Sequence, residues 1–251
     1  MRIDLNCDMG ESFGRYSLGD DAAMLKIVTS ANIACGMHAG DPLVMVRTVA
    51  LAAQEKVAVG AHPGYPDLPG FGRREMALSP AELEATLIYQ LGALAGFARV
   101  AGVRLIHVKP HGALYNAAAR DDVVAMCVAR AIATFDPHLI VVTAPGSMLA
   151  LAARSMGLRV AGEGFADRAY REDGALVPRS EPGAVIHDPA RAAEQAVRLV
   201  TCGEVATITG KIIPLKIDTL CIHGDTSGAL QIAADLRAAL EAAGAEIARL
   251  A

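Results

Sequence analysis

Five of the seven histidines in this 251-residue chain, at positions 38, 62, 107, 111 and 223, sit within a few residues of the end of a short apolar run. The same places carry Asn6, Asp8 and Glu11, then Asn32, Lys109, Glu163 with Arg168, Lys211, and Asp225 with Thr226. Imidazoles and carboxylates are the usual acids and bases of chemistry near neutral pH, and a fixed lysine can stabilise a developing negative charge. One polar residue after a strand is ordinary; its recurrence at the same structural place is what points to a site. Lys109 stands out because, in the run Ile106-His107-Val108-Lys109-Pro110, it alternates onto the face of His107 and points inward. A buried ammonium requires a carboxylate or a bound anion. His138 precedes a run and His187 precedes a helix, so both read as structural, and Asp41 before Pro42 reads as a helix N-cap.

Asp8, His38 and His62, with either His107 or His111, offer the oxygen and nitrogen donors of a zinc or manganese site. Pro110 interrupts the spacing between His107 and His111, so the two cannot share a helical face as in an H-E-x-x-H metalloprotease. Covalent catalysis is disfavoured: no serine occupies a G-x-S-x-G elbow, and Cys7 and Cys35 lie in apolar runs. No phosphate-binding P-loop occurs either. A nucleotide would be held by loop amides, helix N-termini and isolated lysines.

The elements that must position these groups alternate along the chain. Short apolar runs at 2–7, 30–35, 57–61, 105–109, 139–143, 159–163, 205–209 and 219–223 read as strands covered on both faces. Helical segments at 20–29, 43–54, 80–101, 121–135, 147–156, 189–201 and 227–243 separate them, with Pro80 and Pro189 at first helical positions. Eight strands in a βαβα pattern predict an α/β, TIM-barrel-like fold formed by residues 1–251 as a single domain, its chemistry gathered at the carboxyl ends of the strands. The turn-rich segments 64–76 and 166–187 are predicted to be active-site loops. A net charge of −4 without a Lys/Arg block argues against nucleic-acid and anionic-membrane partners. Five scattered cysteines without a CxxC pair predict reduced thiols, and the absence of an export signal or long apolar run predicts a cytoplasmic protein.

Seven separated strings then carry a resemblance: DLNCDMGESFG at 4–14, SANIACGMHAGD at 30–41, GAHPGYPD at 60–67 with GFGRR at 70–74, HVKPHGALYN at 107–116, EGFADR at 163–168 with Tyr170, LVPR at 176–179, and CIHGDT at 221–226. In this order they resemble the LamB/YcsF family. The resemblance implies a barrel related to the glycoside hydrolase/deacetylase superfamily and an ATP-dependent 5-oxoprolinase that works with B and C subunits. It also implies ATP as co-substrate, with Mg2+, and opening of the 5-oxo-L-proline lactam to L-glutamate. On that reading Asp8 or His62 activates water, Lys109 with His38 stabilises charge on the carbonyl oxygen, and Glu163 is a second acid/base candidate. Asn6, Glu11, Asn32, His107, His111, Asn116, His223 and Asp225 are the candidate substrate-holding residues; Arg168, Arg179 and Lys211 would meet phosphate or the substrate carboxylate. Two other expectations stand beside it: a metal-dependent, deacetylase-like hydrolase, or a subunit that only delivers substrate.

Overall fold

The computed structural model describes residues 1–222 and 228–250. Its apolar runs form β1 (Arg2–Met9), β2 (Ser30–Ala34), β3 (Ala58–His62), β4 (Leu105–Val108), β5 (Ile140–Thr143) and β6 (Arg159–Phe165), each parallel to the one before. Next come β7 (Glu204–Ala206) and β8 (Ile212–Pro214), which among the described residues pair only with each other, antiparallel. β9 (Thr219–Cys221) then pairs with both β6 and β1 and closes a parallel barrel of seven strands; β10 (Glu246–Ile247) extends the edge of β1.

Seven strands replace the expected eight. The 205–209 run was predicted as a barrel stave, but the chain turns at 207–210 and returns, so Val205 pairs with Ile213. Both of those are buried while Ala206 and Ile212 are exposed, the one-sided burial of a hairpin laid on a surface.

The helices are α1 (Asp21–Met24), α2 (Pro42–Gln54), α3 (Pro80–Val100), α4 (Gly112–Arg120), α5 (Asp122–Phe135), α6 (Met148–Ser155), α7 (Pro189–Cys202) and α8 (Ala229–Ala242). Their starts follow from local chemistry. The Asp41 carboxylate accepts from the amides of Leu43 and Val44, Ser79 and Glu82 form a reciprocal capping box, and Asp188 caps the amide of Ala190. The expected helix at 20–29 shrinks to one turn. No helix among the described residues is long and apolar enough to cross a membrane.

Period-two alternation on β1 decides what fills the barrel. Ile3, Leu5, Cys7 and Met9 belong to the apolar core shared with the helices. Asp4 and Asn6 take the other face and are buried inside the barrel with Ser30, Asn32, His107 and Thr219. The barrel axis is therefore polar, and it is hydrogen-bonded from end to end.

Candidate functional site

The polar axis builds upward from Asp4. Ser30 Oγ, at 2.6 Å, Thr29 Oγ1, at 2.7 Å, and Thr219 Oγ1 all donate to its carboxylate. Burial raises the Asp4 carboxyl above its ordinary value, against the pull of those hydrogen bonds. One step up, Asn6 Nδ2 donates to Thr219 Oγ1 at 2.7 Å, and Asn32 Nδ2 donates to Asn6 Oδ1 at 2.7 Å and Asp8 Oδ1 at 2.9 Å. His107 Nε2 donates to Asn32 Oδ1 at 2.7 Å, and burial pushes its imidazole down to about 3, so it serves as a neutral donor. Gly60 on the adjacent strand makes room for that ring: a Cβ there would lie 2.0 Å from His107 Nε2.

At the top of the axis Lys109 Nζ lies 2.9 Å from Asp8 Oδ1, 2.8 Å from Glu163 Oε1 and 3.3 Å from Cys221 Sγ. Burial works against the ammonium, but Asp8 foremost, with Glu163, holds its pKa well above the ordinary value. Conversely, burial would raise Asp8, yet His62 and Lys109 outweigh it and hold that carboxyl well below the usual range. The ion pair is intact at neutral pH.

Beside it stand three histidines. His62 Nδ1 donates to the Lys109 carbonyl at 2.6 Å, and His111 Nε2 donates to the Phe71 carbonyl at 2.8 Å, because a carbonyl can only accept. These bonds fix the tautomers. His111 Nδ1 and His62 Nε2 are left facing each other at 3.0 Å, with Asp8 Oδ2 3.3 Å from the latter. Two lone pairs and a carboxylate oxygen cannot converge unscreened, so positive charge must be supplied among them, and a bound cation would do so. Asp8, His62 and His111 place one donor atom each within 4.8 Å of one another, as do Glu11, His38 and His111. The cluster holds three carboxylates, Asp8, Glu11 and Glu163, against the single ammonium of Lys109, an excess of negative charge that a divalent ion would offset. This donor set fits zinc or manganese, and such an ion would polarise a bound water.

Above the histidines opens a cavity of about 530 Å³, a size suited to a small ligand. Both turn-rich loops contribute to its wall, through Phe71 and Arg73 from one and Leu176 to Arg179 from the other. Of the candidate residues, Asp8, Glu11, His62, Lys109, His111, Asn116, Arg168 and Arg179 are brought together along its wall.

Other expectations are corrected. Asn6, Asn32 and His107 are fully buried below the floor and bonded to one another, so they support Asp8 and do not hold a ligand. Glu163 lies behind Lys109 and is 1% exposed. His38 stacks on His111 with ring centroids 3.7 Å apart and is walled off from the cavity, which removes it from direct contact with a carbonyl oxygen. Arg168 commits Nη2 to the Val177 carbonyl at 2.7 Å and Nε to that of Ala184 at 3.3 Å, and so braces its loop. Lys211 sits on the hairpin turn, exposed and paired with Glu172 at 3.0 Å, away from the cavity, because the 205–209 run is not a stave. His223 and Asp225 lie outside the described residues. Reading the sequence missed Arg73, Tyr115, Arg120 and Phe165, which also line the cavity. The string at 107–116 already contained Tyr115, and only the unrecognised helix α4 hid its direction.

Residues 3–251 match the model of the LamB/YcsF family. A relative from Syntrophobacter fumaroxidans, named as the A subunit of 5-oxoprolinase, is 55% identical over 247 residues, 98% of each chain. One of the same name from Pyrococcus furiosus is also 55% identical, over 98% of this chain and 97% of its own. Among solved structures, the Lactam Utilization Protein from Thermus thermophilus superposes with a TM-score of 0.95 at 49% identity over the whole of both chains. A structure titled T48 deacetylase with substrate reaches a TM-score of 0.51 at 13% identity, over 98% of this chain and 86% of that one, a likeness of fold.

Proposed function

The chain belongs to the LamB/YcsF family, and from that premise we propose that it is the lactam-opening subunit of an ATP-dependent 5-oxoprolinase. It would act with B and C subunits to convert ATP, 5-oxo-L-proline and water to ADP, phosphate and L-glutamate. The observation that carries this reading is the Lys109 ammonium on the cavity floor, held between Asp8 and Glu163 beside the His62–His111 pair. A lactam is an unactivated amide. Phosphorylation of its carbonyl oxygen by ATP, with Mg2+, makes the ring carbon electrophilic; a deprotonated water adds to that carbon, the carbon–nitrogen bond breaks as the nitrogen takes a proton, and a second water hydrolyses the resulting acyl phosphate to glutamate and phosphate. Asp8 with His62 is the base for the first water, and Lys109 meets the charge that develops on oxygen. Arg73 and Arg179 at the rim suit the substrate carboxylate or a phosphoryl group. Dependence on ATP is consistent with a cytoplasmic protein, and neither a nucleic acid nor a membrane is a partner in this reading.

The deciding experiment is glutamate release from 5-oxo-L-proline by the purified chain, alone and with its B and C partners, with and without ATP. Release only in the full mixture with ATP is the expected result. Absence of release in every mixture would remove the reading. Mixtures in which Lys109 and Asp8 variants stay fully active would instead assign this chain to substrate delivery.

The Asp8, His62 and His111 donor set favours a second reading, a metal-dependent hydrolase of an amide or acetylated sugar. Zn2+ or Mn2+ titrated into the chain should then bind at a single site by calorimetry, with the heat lost in His111→Ala. No heat with either ion would exclude this reading, and ATP-independent turnover by the metal-loaded chain would establish it.

A further inference from the structure

Tyr115 enters the cavity wall from α4, four residues after His111, and only 6% of it is exposed. Its ring stands edge-on to Phe165, with centroids 6.2 Å apart, and Phe165 in turn lies 5.5 Å from Lys109 Nζ. The phenolic hydroxyl is buried beside the Glu163 carboxylate, close enough for the two groups to act on each other. Glu163 faces Lys109 through Oε1, and its Oε2 is likewise buried. The Tyr115 ring lines the cavity while Glu163 lies behind it, so a phenol that turns its hydrogen to Glu163 keeps acceptor lone pairs for a group that enters from the cavity side.

The sign of the charge says which partner. Lys109 offers a cation to an electron-rich oxygen. The Tyr115 corner, with Glu163 behind it, repels such an oxygen and accepts a hydrogen instead. Burial, and next Glu163, push the Tyr115 phenol well above its ordinary value, so it stays protonated. With its hydrogen turned toward Glu163, its lone pairs are free to accept. A lactam carries a carbonyl oxygen and an N–H on adjacent atoms, which matches a cation and an acceptor side by side.

We propose that Tyr115, backed by Glu163, accepts the ring N–H of the lactam while Lys109 meets its carbonyl, and that Tyr115 thereby sets the preference for a lactam over a lactone. This deepens the oxoprolinase reading and rests on it. The test uses the assembled A, B and C subunits with ATP, comparing the KM for 5-oxo-L-proline with the inhibition constant of the analogue whose ring N–H is replaced by oxygen. Tyr115→Phe is expected to weaken the lactam by about tenfold to a hundredfold and to leave the lactone within about threefold, so that the preference collapses. Equal losses for both rings, or no loss for either, would overturn the proposal. Were the wild-type assembly inactive on 5-oxo-L-proline, the functional reading would fail first. The subsite would then be judged by calorimetry of the chain alone with 2-pyrrolidone and γ-butyrolactone: a lactam preference that Tyr115→Phe erases would retain it, and the same affinity for both rings, or binding of neither, would discard it.

Discussion

Lys109→Met is expected to abolish turnover and to weaken the way stability rises with pH. The turnover loss follows from removing the one ammonium among the described residues that faces the cavity floor, an effect of about a hundredfold to a thousandfold or more for a charge-stabilising group. The stability effect follows from what remains: Asp8 and Glu163 stay where they are without their common partner. Breaking a buried pair in this way costs about 3–5 kcal/mol. In the wild type the Asp8 carboxyl is held well below the usual carboxylate range, so its contribution is complete above the unfolded-state value and is lost as pH falls through the depressed folded value. Without Lys109, burial, which is the largest influence on Asp8, loses one of its two main opponents, and the folded-state carboxyl rises. The stabilisation that the ionised Asp8 gives the wild type above the unfolded-state value should then shrink, so the variant gains less stability than the wild type as pH rises. Thermal melts from about pH 4 to pH 8 would reveal the flatter profile. A variant that melts like the wild type throughout would refute the charge arrangement, and near-normal turnover in the assembled enzyme would discard the role of Lys109.

Gly60→Ala should be nearly as damaging although it changes no chemical group. The added methyl would fall 2.0 Å from His107 Nε2 and 2.3 Å from two ring carbons, inside a barrel where His107 has no exposed surface. Moving the ring breaks its bond to Asn32 Oδ1 and so disturbs the amide that also holds Asp8. Overpacking of about 1–3 kcal/mol and a lost buried hydrogen bond of similar size add to about 2–6 kcal/mol, a fall in Tm of about 10 °C for a chain of this length. Calorimetry checks this directly. The pair Gly60→Ala with His107→Ala should recover part of the loss, since the colliding ring is gone. An unshifted Tm in the single variant would mean that the ring is not packed against Gly60.

How much of this was legible beforehand depended on what a single sequence encodes. The first six strands and β9 announce themselves as apolar runs, because a strand covered on both faces has little else to be. The 205–209 run misled for the same reason: Val205 and Ile208 look like stave residues, and only tertiary pairing with Ile213 shows the hairpin. Helix α4 escaped because it follows His111 directly and meets α5 at Asp121, with no turn residue to separate the two. The site was legible as a set of positions. Depth was not, because the strands are staggered and their relative height is a property of closure. Thus Asn6 and Asp8, two residues apart on one face of β1, end in different worlds, the first sealed in the barrel and the second at the cavity floor.

The polar axis also bears on how this chain can vary over generations. Asp4, Thr219, Asn6, Asn32, Asp8 and Lys109 form one hydrogen-bonded succession, so each side chain is acceptable only in the company of its neighbours. Groups in direct contact couple by about 0.5–3 kcal/mol, and a lone apolar replacement strands a buried donor or acceptor. Replacing Asp4 together with the Ser30 and Thr219 hydroxyls that donate to it would strand fewer groups than replacing Asp4 alone. Drift inside the barrel must therefore proceed by concerted steps, whereas the exposed faces of the surrounding helices are open to change one residue at a time.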